Sequence, residues 1–150
     1  MKRFYFSLRP AAVVRAHREL RAREALAVAL RALAEAEARL TAARARSAEL
    51  ETVIAVGRRR NFQPAAEAAF YQAYLGSRSA EREIEKQVEG AVAELLRRRA
   101  ACVDANRDLK VISRIEERAR EAHRQEGLRT EQNEIDEIAG FRAFQTHSRL

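Results

Sequence analysis

The chain has little of what builds a compact globular core. It contains no Trp, and aromatic residues make up only 6% of its 150 positions. Charged residues reach 34%, and Ala dominates the apolar fraction. This composition argues against a large aromatic core and is typical of long helices with a narrow apolar seam.

Helix-breaking residues are also scarce, with two Pro and five Gly. No Gly or Pro falls between Pro10 and Gly57, and no Pro follows Pro64. The sequence therefore predicts two long uninterrupted helices.

Cysteine and long apolar runs are nearly absent as well. Cys102 is the only cysteine, which excludes an intramolecular disulfide and favours a reducing compartment. No stretch approaches the roughly 18 apolar residues of a membrane span, and the start MKRFYFSLRP lacks the apolar part of a signal peptide. We expect a cytoplasmic protein with no direct membrane insertion.

The apolar residues that are present follow a coiled-coil rhythm. From Leu26 to Ile54 they recur in steps of three and four, as Leu26, Ala29, Leu33, Ala36, Leu40, Ala43, Ser47, Leu50 and Ile54. Upstream, Val13, Ala16 and Leu20 continue in a shifted phase, which predicts a stutter near Arg23. The first helix is expected over residues 11–56.

The segment GRRRNFQP is the strongest break in the chain and predicts a turn at residues 57–63. Gly57 suits a helix end, Asn61 can cap, and Pro64 can begin the next helix. The second helix is then expected over 64–139, with a possible break at 76–79. Its seam reads Phe70, Tyr74, Ser77, Ile84, Val88, Ala91, Leu95, Arg98, Cys102, Ala105, Leu109 and Ile112, shifting to Ile115, Ala119 and Ala122.

The predicted architecture is all-α: a single domain over 1–150, formed by a two-helix antiparallel coiled-coil hairpin with a longer C-terminal helix. Folding back at the turn exhausts the first helix near Leu109 and leaves some 25 to 30 residues without an intramolecular partner. The large apolar side chains of this overhang predict docking to another protein. They are Ile115, Leu128, Ile135, Ile138, Phe141 and Phe144.

Residue patterns that carry chemistry are missing. No phosphate loop, nucleophile elbow or paired-cysteine zinc spacing occurs, so we expect no catalytic, cofactor-binding or metal-binding residues and no enzyme activity. His123 and Glu126 have a helical metal-site spacing, but a solvated helix surface explains this pair better.

The charge is uneven along the chain. Residues 1–62 carry fourteen Lys and Arg against six acids, a net of +8, while 63–150 carry fifteen against sixteen. The arginine triplets 58–60 and 97–99 could contact phosphates. Helix termination and ordinary solvation explain them as well, so we do not expect nucleic acid as a partner.

Four segments resemble the flagellar type III export protein FliJ family along the whole chain. They are the opening FYFSLRP, YQAYL at 71–75, IEKQ at 84–87 and EQNEIDEIA at 131–139. The stretch GSRSAERE after Leu75 departs from the family by about two residues, which affects the register over 76–83.

The resemblance implies a stalk-like coiled coil that binds the hexameric export ATPase, the cytoplasmic domain of the membrane export gate and export chaperones. It would be cytoplasmic and peripherally associated with the inner-membrane export apparatus. Carried over to this sequence, the ATPase-facing residues are Glu131, Gln132, Glu134, Asp136 and Glu137. The gate-facing residues are Tyr71, Tyr74 and Leu75.

Related proteins of virulence type III secretion have the same architecture, so the resemblance leaves the flagellar and virulence systems open. Two other functions also remain open from the residues alone. One is a basic coiled coil that binds nucleic acid, and the other is a homo-oligomeric scaffold.

Overall fold

The fold consists of two long helices and no other regular element among the residues described. The computed structural model describes residues 3–147, with side chains up to residue 142. Helix α1 spans Arg9–Arg59 and helix α2 spans Pro64–His147, or 51 and 84 residues. This confirms the all-α hairpin with the longer C-terminal helix.

Contacts within the chain group into two compact units. One unit is the stretch Leu20–Asp104, which contains the turn. The other joins the residues up to Glu19 with those from Ala105 onward. Each unit is an antiparallel pairing of an early and a late segment.

In the unit that contains the turn, the cross-helix contacts define the register. Arg44 donates to the Glu85 carboxylate at 2.9 Å, and Arg58 donates to the Glu67 carboxylate at 2.6 Å. Residues later in α1 therefore contact residues earlier in α2, as an antiparallel coiled coil requires.

The seam, meaning the line of positions on each helix that faces the other helix, follows the predicted rhythm over the centre of α1. Every position predicted from Leu26 to Ile54 is buried or half-buried. Alanine and leucine alternate along most of this line, which allows the helices to approach closely where the small residue stands.

The predicted stutter near Arg23 is wrong. Val13 and Leu20 are 63% and 51% exposed, whereas Arg15 and Glu19 are half-buried and buried. The steps of three and four run on without a shift through Ala12, Arg15, Glu19, Ala22 and Leu26. Charged side chains hold two seam positions here, because long side chains can bury their stems while their polar ends find partners.

The expected interruption at 76–79 does not occur either, because α2 is helical throughout that stretch. Its buried and half-buried positions continue in unbroken steps from Ser77 through Glu81 to Ile84. Glu81 occupies the seam position that an apolar residue would normally fill. A charged side chain in the seam explains why the apolar pattern seemed to stop there.

The turn closes with a helix-ending motif centred on Asn61. Asn61 has a positive φ of 56°, and the Phe62 N–H donates to the Gly57 carbonyl at 3.1 Å. This six-residue hydrogen bond and the left-handed residue are those of a Schellman motif. The Phe62 ring covers Gly57 so closely that a Cβ there would overlap it.

Helix α2 begins as the sequence suggests. The Gln63 carbonyl accepts hydrogen bonds from the amides of Ala66 and Glu67, both at 3.0 Å. Pro64 occupies the first helical position, where it has no amide hydrogen to leave unsatisfied. Phe62 then packs against Phe70 with ring centroids 5.5 Å apart, which joins the turn to the first seam residue of α2.

The left-handed conformation of Asn61 gives a testable prediction. Asn61→Ala should destabilise the fold by about 1 kcal/mol, because Cβ sterics disfavour this backbone region, while Asn61→Gly should be neutral or slightly stabilising. Urea unfolding followed by circular dichroism measures both. Arg60→Ala, an exposed change in the same turn, is the matched control and should have little effect. Equal costs for Ala and Gly would contradict the assignment.

Candidate interaction surfaces

The opening aromatic segment packs on α2. The Phe4 ring lies 5.5 Å from the His123 ring, with the Arg120 guanidinium 5.8 Å from the Phe4 centroid. Phe6 is buried, while Tyr5 beside it is 84% exposed. Further along, Arg15 donates to the Asp108 backbone carbonyl at 3.1 Å.

These contacts correct the predicted overhang. Residues 109–123 are not partnerless, because the segment before α1 runs along α2 as far as His123. Packing was expected to begin at Ala11, which left out the aromatic residues before Pro10. Ile115, which was expected in the overhang, lies within residues 109–123, but its side chain is 41% exposed.

What remains exposed is the end of α2, which we call the tail and define as residues 128–142. Every tail residue is exposed. The tail includes Leu128, Ile135, Ile138 and Phe141, of which Ile135 is 59% exposed. The side chain of Phe144, which was expected to belong here, lies outside the described residues.

Three of the four large apolar residues of the tail share one side of the helix, and Phe141 lies about 60° beyond Ile138. At about 100° per residue, Leu128, Ile135 and Ile138 fall within roughly 80° of one another, with Ala139 beside them. The positions that continue the seam rhythm are instead polar: Thr130, Asn133 and Glu137. They lie on the opposite side of α2, so the apolar side of the tail faces away from the seam direction.

All five predicted ATPase-facing residues lie in this tail and are exposed. The Gln132 amide donates to the Asp136 carboxylate at 2.8 Å. By helical spacing Glu131 lies within the apolar side and Glu134 lies beside it, whereas Asp136 and Glu137 lie away from it. The five residues therefore do not share one side of the helix.

The three predicted gate-facing residues form one cluster on α2 in the unit that contains the turn. Tyr71 and Leu75 are 46% and 44% exposed, and Tyr74 is half-buried in the seam. The Tyr71 and Tyr74 rings are 6.4 Å apart. Exposed Tyr next to exposed Leu is a composition favoured at protein interfaces.

Three of the six arginines in the two triplets form ion pairs with glutamates. Arg97 and Arg98 both pair with Glu94, at 2.8 and 2.6 Å, and Arg58 pairs with Glu67. The hydrogen bond from Arg98, with the charges of both arginines, lowers the pKa of Glu94 despite partial burial. Arginines that are already paired offer less charge to phosphates.

Sequence reasoning missed a polar cluster inside the seam. Ser47 is buried and donates to the Glu81 carboxylate at 3.0 Å, while its hydroxyl oxygen lies 2.9 Å from that of Ser77. Arg78 donates to both Glu81 oxygens at 2.8 Å. Arg44 approaches the same carboxylate at 3.7 Å.

The charged form of Glu81 is favoured in this setting. Burial, the largest single influence, raises its pKa, but hydrogen bonds from Ser47 and Arg78 and the charges of Arg78 and Arg44 outweigh it. The net result is a pKa below the ordinary value of 4.5. One feature of the sequence could have revealed this cluster: Ser47, Ser77 and Glu81 all fall at the three-and-four spacing of the seam.

No metal site or membrane span emerges from the residues that the structure describes. No group of three or more His, Cys, Asp and Glu among them could hold a metal ion. Within the same residues, no helix is long and apolar enough to cross a membrane. His123 is placed against the Phe4 ring instead of in a ligand cluster.

The fold and its surfaces define an all-α coiled-coil hairpin with exposed apolar residues in the tail and around Tyr71. The sequence model of the flagellar FliJ protein matches residues 7–148 of the chain, so the chain belongs to the FliJ family. Members of this family are non-enzymatic components of flagellar protein export, and this chain has a role related to flagellar export. No curated protein and no solved structure matches the chain.

The Glu81 cluster predicts a pH-dependent stability difference. A carboxylate with a lowered folded pKa contributes stability that is complete above its unfolded value of 4.5 and is lost as pH falls through the folded value. Glu81→Gln should therefore be less stable than the parent chain at pH 7, and the gap should narrow below about pH 4.5.

Urea unfolding of both proteins across this pH range measures the gap. Glu83→Gln, which removes an exposed carboxylate 3.3 Å from Lys86, is the matched control and should show a small, nearly constant difference. A gap between Glu81→Gln and the parent chain that does not change with pH would contradict the charged state of Glu81.

Proposed function

We propose that this chain is a stalk or adaptor of the flagellar type III export apparatus that binds the hexameric export ATPase through its tail. It promotes ATPase assembly and export without catalysing a reaction itself. The observation that carries this proposal is the tail itself, an exposed amphipathic helix whose apolar side is turned away from the seam. Burial against a partner would remove this apolar surface from water.

Family membership supports the choice of partner. The chain belongs to the FliJ family, and its role lies in flagellar export. The tail carries four acids against two arginines, so it presents an acidic and apolar surface. A ring subunit with an apolar pocket bordered by basic residues would complement it.

The narrow cross-section of two paired helices supports insertion of the hairpin into the central hole of the ATPase ring. A helix pair can enter a central hole that would exclude a globular domain. An asymmetric hairpin in a symmetric ring contacts its subunits unequally. Only such unequal contacts can bias the conformations of the subunits and so their assembly and hydrolysis.

The cluster of Tyr71, Tyr74 and Leu75 is the proposed contact for the cytoplasmic domain of the membrane export gate. It lies on a different unit of the fold from the tail, so the two partners need not compete for the same residues. Export chaperones are further proposed partners. In this role the chain is cytoplasmic and peripherally associated with the inner-membrane export apparatus.

The role of the tail is tested with the cognate export ATPase. The parent chain should promote ring assembly and raise hydrolysis, and Ile135→Asp with Ile138→Asp should weaken this effect at least tenfold. Losing one buried Ile contact removes about 1.5–3 kcal/mol, and 1.4 kcal/mol corresponds to a factor of ten in affinity.

Thr130→Asp is the matched control, because it adds a negative charge to the tail on the side away from Ile135 and Ile138. It should leave ATPase binding and stimulation near the parent level. Absence of any binding between the parent chain and the ATPase would refute the proposed role.

The gate contact is tested separately. Tyr71→Ala with Leu75→Ala should weaken binding to the purified cytoplasmic gate domain by tenfold or more, because exposed aromatic anchors carry much of the binding energy of an interface. Isothermal titration calorimetry measures the affinity. Val53→Ala, an exposed apolar change on α1, is the control, and an equal loss with that variant would contradict a specific patch.

A further inference from the structure

A second apolar strip runs beside the seam on both helices of the unit Leu20–Asp104. Its members are exposed by between 40% and 60% and each directly follows a seam position. We call this strip the lateral face, and it consists of Leu20, Leu30, Val92, Leu96 and Val103. Positions next to the seam of a two-stranded coiled coil are normally polar, so apolar residues there are typical of a helix that packs on a second side.

The two helices contribute to the same side of the coiled coil. Arg44 and Glu85 also directly follow seam positions, and they form an ion pair at 2.9 Å across the helices. Equivalent positions of an antiparallel pair therefore meet on one side of the seam. Leu30 on α1 and Val92 on α2 occupy the same kind of position and share that side.

Basic residues border the apolar lateral face. Over residues 20–34 of α1 and 92–104 of α2, the positions that follow the seam hold two charged residues, Arg23 and Arg99. The other positions are Ala, Leu and Val. The strip therefore suits an amphipathic helix with an apolar side bordered by carboxylates.

The tail has that chemistry. Its apolar side holds Leu128, Ile135 and Ile138, with Glu131 and Arg142 among them and Glu134 beside Ile138. Two carboxylates against one arginine give this side of the tail a net negative charge, whereas the lateral face is bordered by two arginines. Both surfaces are apolar and exposed. Residues 92–103 and the tail belong to one unbroken helix, so the tail cannot fold back onto the lateral face of its own chain. A tail that docks there must come from a second copy.

We propose that the tail of one copy docks on the lateral face of a second copy. The contact is heterologous, because each copy uses one surface to receive and a different surface to insert. Such a contact leaves a free lateral face at one end of the pair and a free tail at the other, so further copies can add. Self-association occupies the tail and thereby competes with any other partner of the tail.

Complementary variants test this arrangement without the need for any other protein. Leu96→Asp places a carboxylate in the lateral face, and Ile135→Asp places one in the apolar side of the tail. The parent chain should form oligomers at concentrations up to about 200 μM in sedimentation velocity, a range that fits a small interface. Each variant alone should be monomeric at the same concentration.

Mixing the two variants provides the decisive measurement. The Leu96→Asp chain retains an intact tail and the Ile135→Asp chain retains an intact lateral face, so the mixture should give a 1:1 dimer and nothing larger. A face-to-face contact would leave Ile135→Asp dimeric on its own, and a tail-to-tail contact would leave Leu96→Asp dimeric on its own, so either alternative would show in a single variant before mixing. Either a monomeric parent chain over the whole range or a mixture that stays monomeric overturns the proposal.

Two controls separate folding and partner effects from the proposed contact. Val14→Asp, an exposed apolar change outside both surfaces, should oligomerise like the parent chain, and circular dichroism should show equal helix content in all variants. Raising NaCl from about 0.05 M to about 0.5 M should weaken association several-fold, because exposed charge pairs are screened. Salt-independent association would contradict the role of the paired charges.

The competition with the ATPase is distinguishable from the docking itself. Leu96→Asp should retain full ATPase binding, because its tail is intact, and should need less protein to saturate the ring. Loss of self-association in Leu96→Asp supports the docking proposal, and this result does not depend on whether the ATPase binds the tail. A Leu96→Asp chain that still oligomerises like the parent chain contradicts it.

Discussion

The packing of α1 on α2 along one periodic seam is the interaction on which the rest of the structure depends. The two helices do not pack around a globular core. In the described part of the chain, five apolar residues are buried. Long helices of mixed charge gain most of their stability from a partner helix and little from intrinsic propensity. The turn at Asn61 makes that partner intramolecular, so one chain supplies both strands of the coiled coil.

The sequence predicted the parts of this seam that are apolar and failed where charged residues take seam positions. Leu26 to Ile54 was read correctly because each position carries Ala, Leu, Ile or Ser in strict steps. Arg15, Glu19 and Glu81 were missed because hydrophobic periodicity marks apolar residues as seam positions. Arg98, which the spacing predicted in the seam, is exposed instead. Their burial depends on partners across the chain, such as Ser47 for Glu81, and that information is absent from any local window.

The same limit explains the candidate surfaces. Exposure of Tyr71, Leu75 and the tail could be inferred from the spacing of the heptads, because the seam assigns each residue to a side of its helix. The contact of Phe4 with His123 could not, because Phe4 lies before the first helix and outside any periodic pattern. Of the lateral face, only Leu20 belongs to the shifted run Val13, Ala16 and Leu20, and the shifted phase marks residues beside the seam and not a stutter within it.

The polar cluster around Glu81 adds specificity to a seam that would otherwise tolerate slippage. Alternating Ala and Leu repeat every seven residues, so sliding one helix by a heptad would replace many contacts with similar ones. Ser47, Ser77 and Glu81 meet only in the observed register, and sliding would bury a carboxylate without its hydrogen bonds. An unpaired buried charge costs far more than an altered apolar contact, so the cluster selects the register even where it adds little to stability.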